Sequence, residues 1–259
     1  MLDLDTAIIP CGGLGTRLHP VTRWIPKEML PVGLRPLLFW TLDEVAAAGL
    51  ARAIIITNPD KPGLEAAARD YGGVLRIEFV PQERPRGLGD ALGRARGMLA
   101  GAPFAVVLPD NLFDGPNPTA DVLAVARRLS LATVLLAEVG REEAGTKGAT
   151  GKARVRREAD GTLRVVEVAD KGKGRFDTEG ERAAVTPIGR FVFQGDVFEE
   201  FDEVARGLAE GEELDDVPVL QRLARRGELA GVIGRARWYD VGVPEGYRQA
   251  VVDYPERAG

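Results

Sequence analysis

The segment TAIIPCGGLGTRLHPVTRWIPKEMLPVGLRP (residues 6–36) decides the architecture of this chain. Its apolar run Ala7, Ile8, Ile9 reads as a buried strand that feeds directly into the turn Gly12, Gly13, Leu14, Gly15. Glycines let backbone approach a ligand closely and adopt torsions closed to other residues. Exposed N–H groups in such a turn form a nest for anions. Arg17 can grip two phosphate oxygens at once, whereas Lys27 acts as a point charge. Between residues 6 and 36 the cations are Arg17, Arg23, Lys27 and Arg35 against the single acid Glu28. The whole chain carries 34 Lys plus Arg against 39 Asp plus Glu, so a positive loop sits in an acidic protein and implies a small polyanionic ligand.

Other readings of the turn fit less well. A dinucleotide fingerprint, GxGxxG, would take Gly13 and Gly15 but meets Leu18 at its third position. A P-loop needs Gly-Lys followed by Ser or Thr, which is absent. A bare strand-to-helix turn has no use for Arg17 and Lys27 set among Pro20, Pro26 and Pro31.

Bulk properties narrow the class. A chain of 259 residues can bury a large core without disulfides. The lone Cys11 excludes a disulfide framework and a cysteine-based zinc site and suits a reducing, cytoplasmic setting. It reads as a small buried apolar residue. The first ten residues lack the basic region of a secretory signal, and no apolar stretch approaches the roughly 20 residues that span a bilayer. Net charge −5 argues against general nucleic-acid binding. The single histidine, His19, leaves no room for a histidine-rich metal site and reads as structural, packed beside the loop.

The pattern GGLGTRL, then IPKEMLPV, then RPLL resembles the signature of the sugar-1-phosphate nucleotidyltransferases, and most nearly the bacterial UTP–glucose-1-phosphate uridylyltransferases. The resemblance implies a Rossmann-like, doubly wound α/β mixed sheet with a smaller β-rich sugar-binding half. It also implies a single domain over residues 1–259, with residues 1–130 binding nucleotide and residues 131–259 binding sugar.

The remaining pattern is consistent with that fold. Residues 36–49 read as a helix, with Leu38, Leu42, Val45 and Ala46 on one face and Gly49 as C-cap. Residues 53–57 read as a strand, 64–71 as a helix and 75–80 as a strand; such alternation makes right-handed βαβ units. Strands follow at 103–108 and 132–139, then shorter ones at 153–157, 163–168 and 188–193, interleaved with polar loops at 141–151 and 171–182. The second half is expected as a mixed sheet set against the first. Residues 217–226 read as a helix, 229–238 as one strand and 244–254 as a closing helix.

Residue by residue, the resemblance implies that Gly12, Gly13, Gly15 and Thr16 cradle nucleotide phosphates, with Arg17 and Lys27 as catalytic cations. Gln82 and Gly87 stand where the family holds the base; a glutamine offers donor and acceptor to the imide edge of uracil or thymine, leaving the two open. Asp110, at a strand's carboxyl end, and Asp240, in Trp-Tyr-Asp-Val-Gly, stand where the family holds Mg²⁺. On the sugar side are Gly151, Asp170, Gly189 and Trp238, with Lys171 on the sugar phosphate. Glu167 is the other reading of the sugar acid, but it puts Val168 in the lysine position. Trp238 reads equally as core filling. A Thr-Asp sugar contact of the family falls here at Val217 and Pro218.

The implied partners are a nucleoside triphosphate and a sugar 1-phosphate, with no nucleic acid and no membrane, in a homo-oligomer. Uridylyl transfer to glucose 1-phosphate is expected. Thymidylyl transfer, another sugar, or a non-catalytic sugar-nucleotide sensor are the alternatives.

Overall fold

The computed structural model describes residues 4–61, 63–169 and 176–254; Asp170 and Lys171 lie outside them. The first half runs β1 (Thr6–Pro10), β2 (Pro31–Val32), β3 (Arg35–Pro36), α1 (Leu37–Ala47), β4 (Arg52–Thr57), α2 (Leu64–Arg69), β5 (Arg76–Pro81) and α3 (Leu88–Leu99). Next come β6 (Phe104–Val107), β7 (Asn111–Asp114), α4 (Pro118–Leu129) and β8 (Ala132–Gly140). The remainder is β9 (Lys152–Arg157), β10 (Leu163–Ala169), β11 (Ala183–Phe193), α5 (Val197–Arg206), α6 (Val217–Arg225), β12 (Leu229–Ile233), β13 (Arg237–Asp240) and α7 (Pro244–Asp253).

One nine-stranded sheet carries the fold in the order β5-β4-β1-β6-β11-β8-β12-β10-β9. β5, β4, β1 and β6 run parallel. β11 enters antiparallel to both β6 and β8. The second half is therefore a continuation of the same sheet, where the sequence suggests a separate one against it. The apolar runs are buried on both faces, as a parallel sheet between helices requires. On β1, Ile8 packs with Leu92 and Ala95 of α3, while Ala7 and Ile9 pack with Leu38, Leu42 and Val45 of α1.

Two expectations are corrected. The strand expected over 229–238 divides: β12 joins the main sheet, and after Gly234 the chain leaves it so that β13 pairs with β7 in a two-stranded ribbon. His19 is exposed rather than packed, because the turn after Gly15 is a short 3-10 turn that buries only Leu18. Among the described residues, no helix is long and apolar enough to cross a membrane.

Candidate functional site

The carboxyl ends of β1, β5 and β6 open into a cleft of about 590 Å³. Its floor is the glycine turn, clasped from behind by the loop after β4. Asn58 Nδ2 donates to the Gly12 carbonyl at 3.1 Å, and Lys61 Nζ donates to the Cys11 carbonyl at 2.6 Å. Lys61 also meets both carboxylate oxygens of Glu28, at 2.9 and 3.0 Å, and Glu28 is fully buried. Glu28 is thus an anchor that ties the IPKEM segment beneath the turn. Its neighbour Lys27 is aimed into the cleft, where Nζ donates to Asp110 Oδ2 at 2.5 Å.

The β7–β13 ribbon brings two distant acids together. Asp110 immediately precedes β7, Asp240 ends β13, and Asp240 pairs in register with Asn111. Gly242 lies between the carboxylates: a Cβ there would stand 3.1 Å from Asp110 Oδ2 and 3.2 Å from Asp240 Oδ1. Backbone N–H groups hold Asp240, Gly148 donating to Oδ2 at 2.6 Å and Gly242 to Oδ1 at 3.1 Å. Arg17 folds over Gly148, its Nη1 lying 2.2 Å from where a Cβ would be. Gly242 is the glycine of the Trp-Tyr-Asp-Val-Gly motif, whereas sequence reading does not single out Gly148, whose need for glycine comes from the approach of Arg17 and Asp240, far away in the chain.

Electrostatics separate the two acids. Burial works against ionisation of Asp110, but the Lys27 ammonium outweighs it and holds the carboxyl below its ordinary range. Burial and then the nearby Asp110 push Asp240 up. Two enclosed carboxylates flanking one small glycine, one disfavoured in its charged form by the other, fit a divalent cation between them. The donor set is hard oxygen, which suits Mg²⁺ rather than zinc. Among the described residues no group of three or more His, Cys, Asp or Glu is placed to hold a metal ion.

Asn111 organises the neighbouring wall. Its Nδ2 donates to Asp110 Oδ1 at 3.0 Å, and its Oδ1 accepts from Trp238 Nε1 at 2.7 Å. Trp238 lines the cleft while packing against the core, and Lys147 Nζ stands 4.1 Å from its ring centroid. Lys147 is buried, and that burial lowers its pKa. Beneath lies Arg190, 1% exposed. It donates to both Glu44 oxygens at 2.7 and 2.6 Å and to the carbonyls of Leu108, Gly189 and Asn111 at 2.8, 2.9 and 2.9 Å. All five of its N–H donors are used, and two of the acceptors flank the Pro109-Asp110 turn.

At the other end, Gln82 is buried and lines the cleft beside Gly87, whose φ of 95° precedes α3. A Cβ on Gly87 would strike the Leu214 carbonyl at 2.4 Å, which explains the glycine. Gly13, Gly15, Thr16 and Gly189 also line the cleft. Gly151 does not: it is packed under the wall with Ala169 and Val217, and its neighbours Ala149 and Thr150 reach the cleft. The segment before α6 completes the wall. Asp215 and Asp216, with Glu213, stand on the cleft wall, whereas Val217 is buried in the core. Glu167 is exposed on β10 and paired with Arg154.

The chain is similar over nearly its full length to characterised proteins. It is 29% identical over 285 residues to the UTP–glucose-1-phosphate uridylyltransferase of Klebsiella pneumoniae, covering 97% of this chain and 92% of that one. To the enzyme of the same name from Bacillus subtilis (strain 168) it is 27% identical over 277 residues, covering 98% and 92%. The fold is similar to a UDP-glucose pyrophosphorylase complexed with UDP-glucose, with TM-score 0.82, 26% identity and 98% of each chain covered. It is also similar to a Bacillus anthracis protein provisionally named a glucose-1-phosphate thymidylyltransferase, with TM-score 0.79 and 22% identity over 98% of this chain and 96% of that one. The nucleotidyl transferase family profile matches residues 6–257, and with that span the chain belongs to the nucleotidyl transferase family.

Proposed function

We propose that this nucleotidyltransferase joins UTP to glucose 1-phosphate, giving UDP-glucose and pyrophosphate. The observation that carries the reading is the meeting of Arg17, Lys27, Asp110 and Asp240 in one cleft. A sugar-phosphate oxygen attacks the α-phosphorus in line, a new P–O bond forms, and the bond to the β-phosphate breaks. The attacking oxygen is already ionised, so no protein base is needed, and catalysis rests on positioning and charge. Two anions about 4 Å apart repel by roughly 4 kcal/mol in a partly shielded site.

Each residue answers part of that repulsion. Gly12, Gly13, Gly15 and Thr16 present the turn to the triphosphate, and Arg17 neutralises the departing pyrophosphate. Lys27 serves the α-phosphate; its pairing with Asp110 keeps it charged and aimed into the cleft. Mg²⁺ held by Asp110 and Asp240 would supply further positive charge to the converging phosphates. Gln82 and Gly87 take the base, and Trp238 and Gly189 take the sugar. Asp170 and Lys171 are assigned to the sugar ring and its phosphate, and Gly151 to the sugar side, on sequence resemblance alone. The relatives named for UTP and glucose 1-phosphate support this substrate pair.

Thymidylyl transfer is the second reading, since Gln82 meets an imide edge that uracil and thymine share. Pyrophosphate release from glucose 1-phosphate, measured with UTP, dTTP, CTP, ATP and GTP with and without Mg²⁺, separates the two. Release with UTP and Mg²⁺ is expected. Release with dTTP in preference selects the second reading, and release with none of the five overturns both.

A further inference from the structure

We infer that Asp90 is a positioning residue for base specificity: it pins the Gln82 amide in one of its two orientations and so turns the cleft against cytosine. This rests on the reading of Gln82 as the base contact. A glutamine amide can present oxygen or nitrogen to a ligand, the two faces differing by a half-turn of the terminal torsion. In this chain the choice is made from behind. Gln82 Nε2 donates to Asp90 Oδ2 at 2.7 Å, and it also faces the Gly87 carbonyl at 3.4 Å. A carboxylate only accepts, so the reversed amide would set Oε1 against Asp90 oxygen. Asp90 is itself braced from α3, where Arg94 Nη2 donates to Oδ1 at 3.2 Å. The Gln82 backbone is held by its N–H on the Thr57 carbonyl at 2.8 Å.

The consequence is that Oε1 faces Gly12, where a Cβ would lie 2.2 Å from it. An amide with its nitrogen engaged offers the base an acceptor. The imide N3–H of uracil or thymine satisfies it. Cytosine brings a lone pair at N3, which meets Oε1 as acceptor against acceptor. Reading cytosine needs the reversed amide, and Asp90 opposes that. A mispaired buried polar group costs enough to reject the wrong partner by about tenfold or more.

The test is the ratio of kcat/KM for UTP over CTP with glucose 1-phosphate and Mg²⁺ in the wild type, Asp90→Ala, Asp90→Asn and Gln82→Leu. A general loss of stability or turnover cancels in this ratio. Asp90→Ala and Asp90→Asn, which both permit the reversed amide, are expected to lower the ratio by about tenfold or more, through a better KM for CTP. Gln82→Leu is expected to abolish the discrimination. If Gln82→Leu collapses the ratio and neither Asp90 variant moves it, the pinning is wrong while the base contact stands. If Gln82→Leu leaves the ratio unchanged, the base contact itself is wrong and the inference falls with it.

Discussion

Asn111 on β7 and Asp240 on β13 sit opposite one another in an antiparallel ribbon outside the main sheet, and that register is what sets Asp110 beside Asp240. Neither acid's local sequence encodes the other's position. The two middle pairs anchor the ribbon through their rings: Tyr239 is buried against Tyr254, and the Arg190 guanidinium lies over Phe113 at 4.7 Å.

From this pairing, Asp110→Asn and Asp240→Asn are each expected to lower kcat by about 100-fold or more, with much smaller effects on nucleotide affinity. Under the proposed function both carboxylates serve charge stabilisation during transfer, and the triphosphate is assigned separately to the glycine turn. Steady-state pyrophosphate release and calorimetric nucleotide titration measure the two quantities. Unchanged turnover in Asp240→Asn would remove that residue from the site.

Gly148→Ala tests the crossing of Arg17 over the same acid. The added methyl would lie 2.2 Å from Arg17 Nη1 and 3.0 Å from Asp240 Oδ2. Arg17 is exposed and can swing aside, so thermal stability should fall by only about 1 kcal/mol. Displacing the guanidinium from the phosphates should cost on the order of 100-fold in kcat/KM. Arg17→Gln should cost a similar amount, and the double variant little more than either, because neighbouring residues of one unit are not additive. Additive losses would show that Arg17 and Gly148 act independently.

Much of the nucleotide half was legible because its signals are local. The run Ala7-Ile8-Ile9, the glycine turn and the cations Arg17 and Lys27 lie within one stretch, and the strand-helix alternation after it has the right periods. The tertiary parts were not legible. The stretch from 229 to 238 carries no proline or polar turn cluster and reads as one strand, and only the pairing with β7 splits it. Nothing in the spacing joins Lys61 to Glu28, yet the two form a buried ion pair. Asp215 and Asp216 reach the cleft wall unannounced, because a short polar turn before α6 has no periodicity to show which side chains face inward. Arg190 points at groups remote in sequence that no spacing rule marks, and Asp90 shows only its i,i+4 spacing to Arg94, not its reach across the loop to Gln82.

The Lys27–Asp110 pair makes a prediction about pH. Each side chain is 16% exposed, so removing one partner leaves the other poorly solvated. Burial opposes the charge on Lys27, yet Asp110 and Glu28 outweigh it and raise its pKa above the ordinary value. For Asp110, whose folded value is depressed, the contribution is present above the unfolded value of about 3.9 and lost as pH falls through the folded one. For Lys27 it is present below the unfolded value of about 10.4 and lost only as pH rises through the higher folded one. Lys27→Met, without divalent cation, is therefore expected to be less stable than wild type by about 2 kcal/mol near neutral pH. That deficit should persist through mildly acidic and mildly alkaline conditions and shrink once the pH falls below the carboxylate range. Denaturant melts of both proteins across pH measure it; a deficit that grows toward acid contradicts the pairing.

Arg190 yields the sharpest separation of support from chemistry. Its guanidinium fills five donor roles at once, two on Glu44 and three on the carbonyls of Leu108, Gly189 and Asn111. Glu44 in turn accepts from Thr119 at 2.5 Å, so the cluster ties α1, α4, β11 and the Asp110 turn together. Lysine keeps the charge but has three donors on a flexible stem and cannot reproduce the planar fork. Arg190→Lys should therefore lower stability by about 3 kcal/mol, the scale for breaking a buried pair. At a temperature where the variant is still folded, the Asp110 turn has lost two of its carbonyl anchors. Turnover should then fall by about tenfold or more while nucleotide KM stays near wild type, because the glycine turn does not touch Arg190. Denaturant melts combined with kinetics at low temperature distinguish the effects. Wild-type turnover in the folded variant would reduce Arg190 to a stabilising residue with no bearing on how Asp110 is placed.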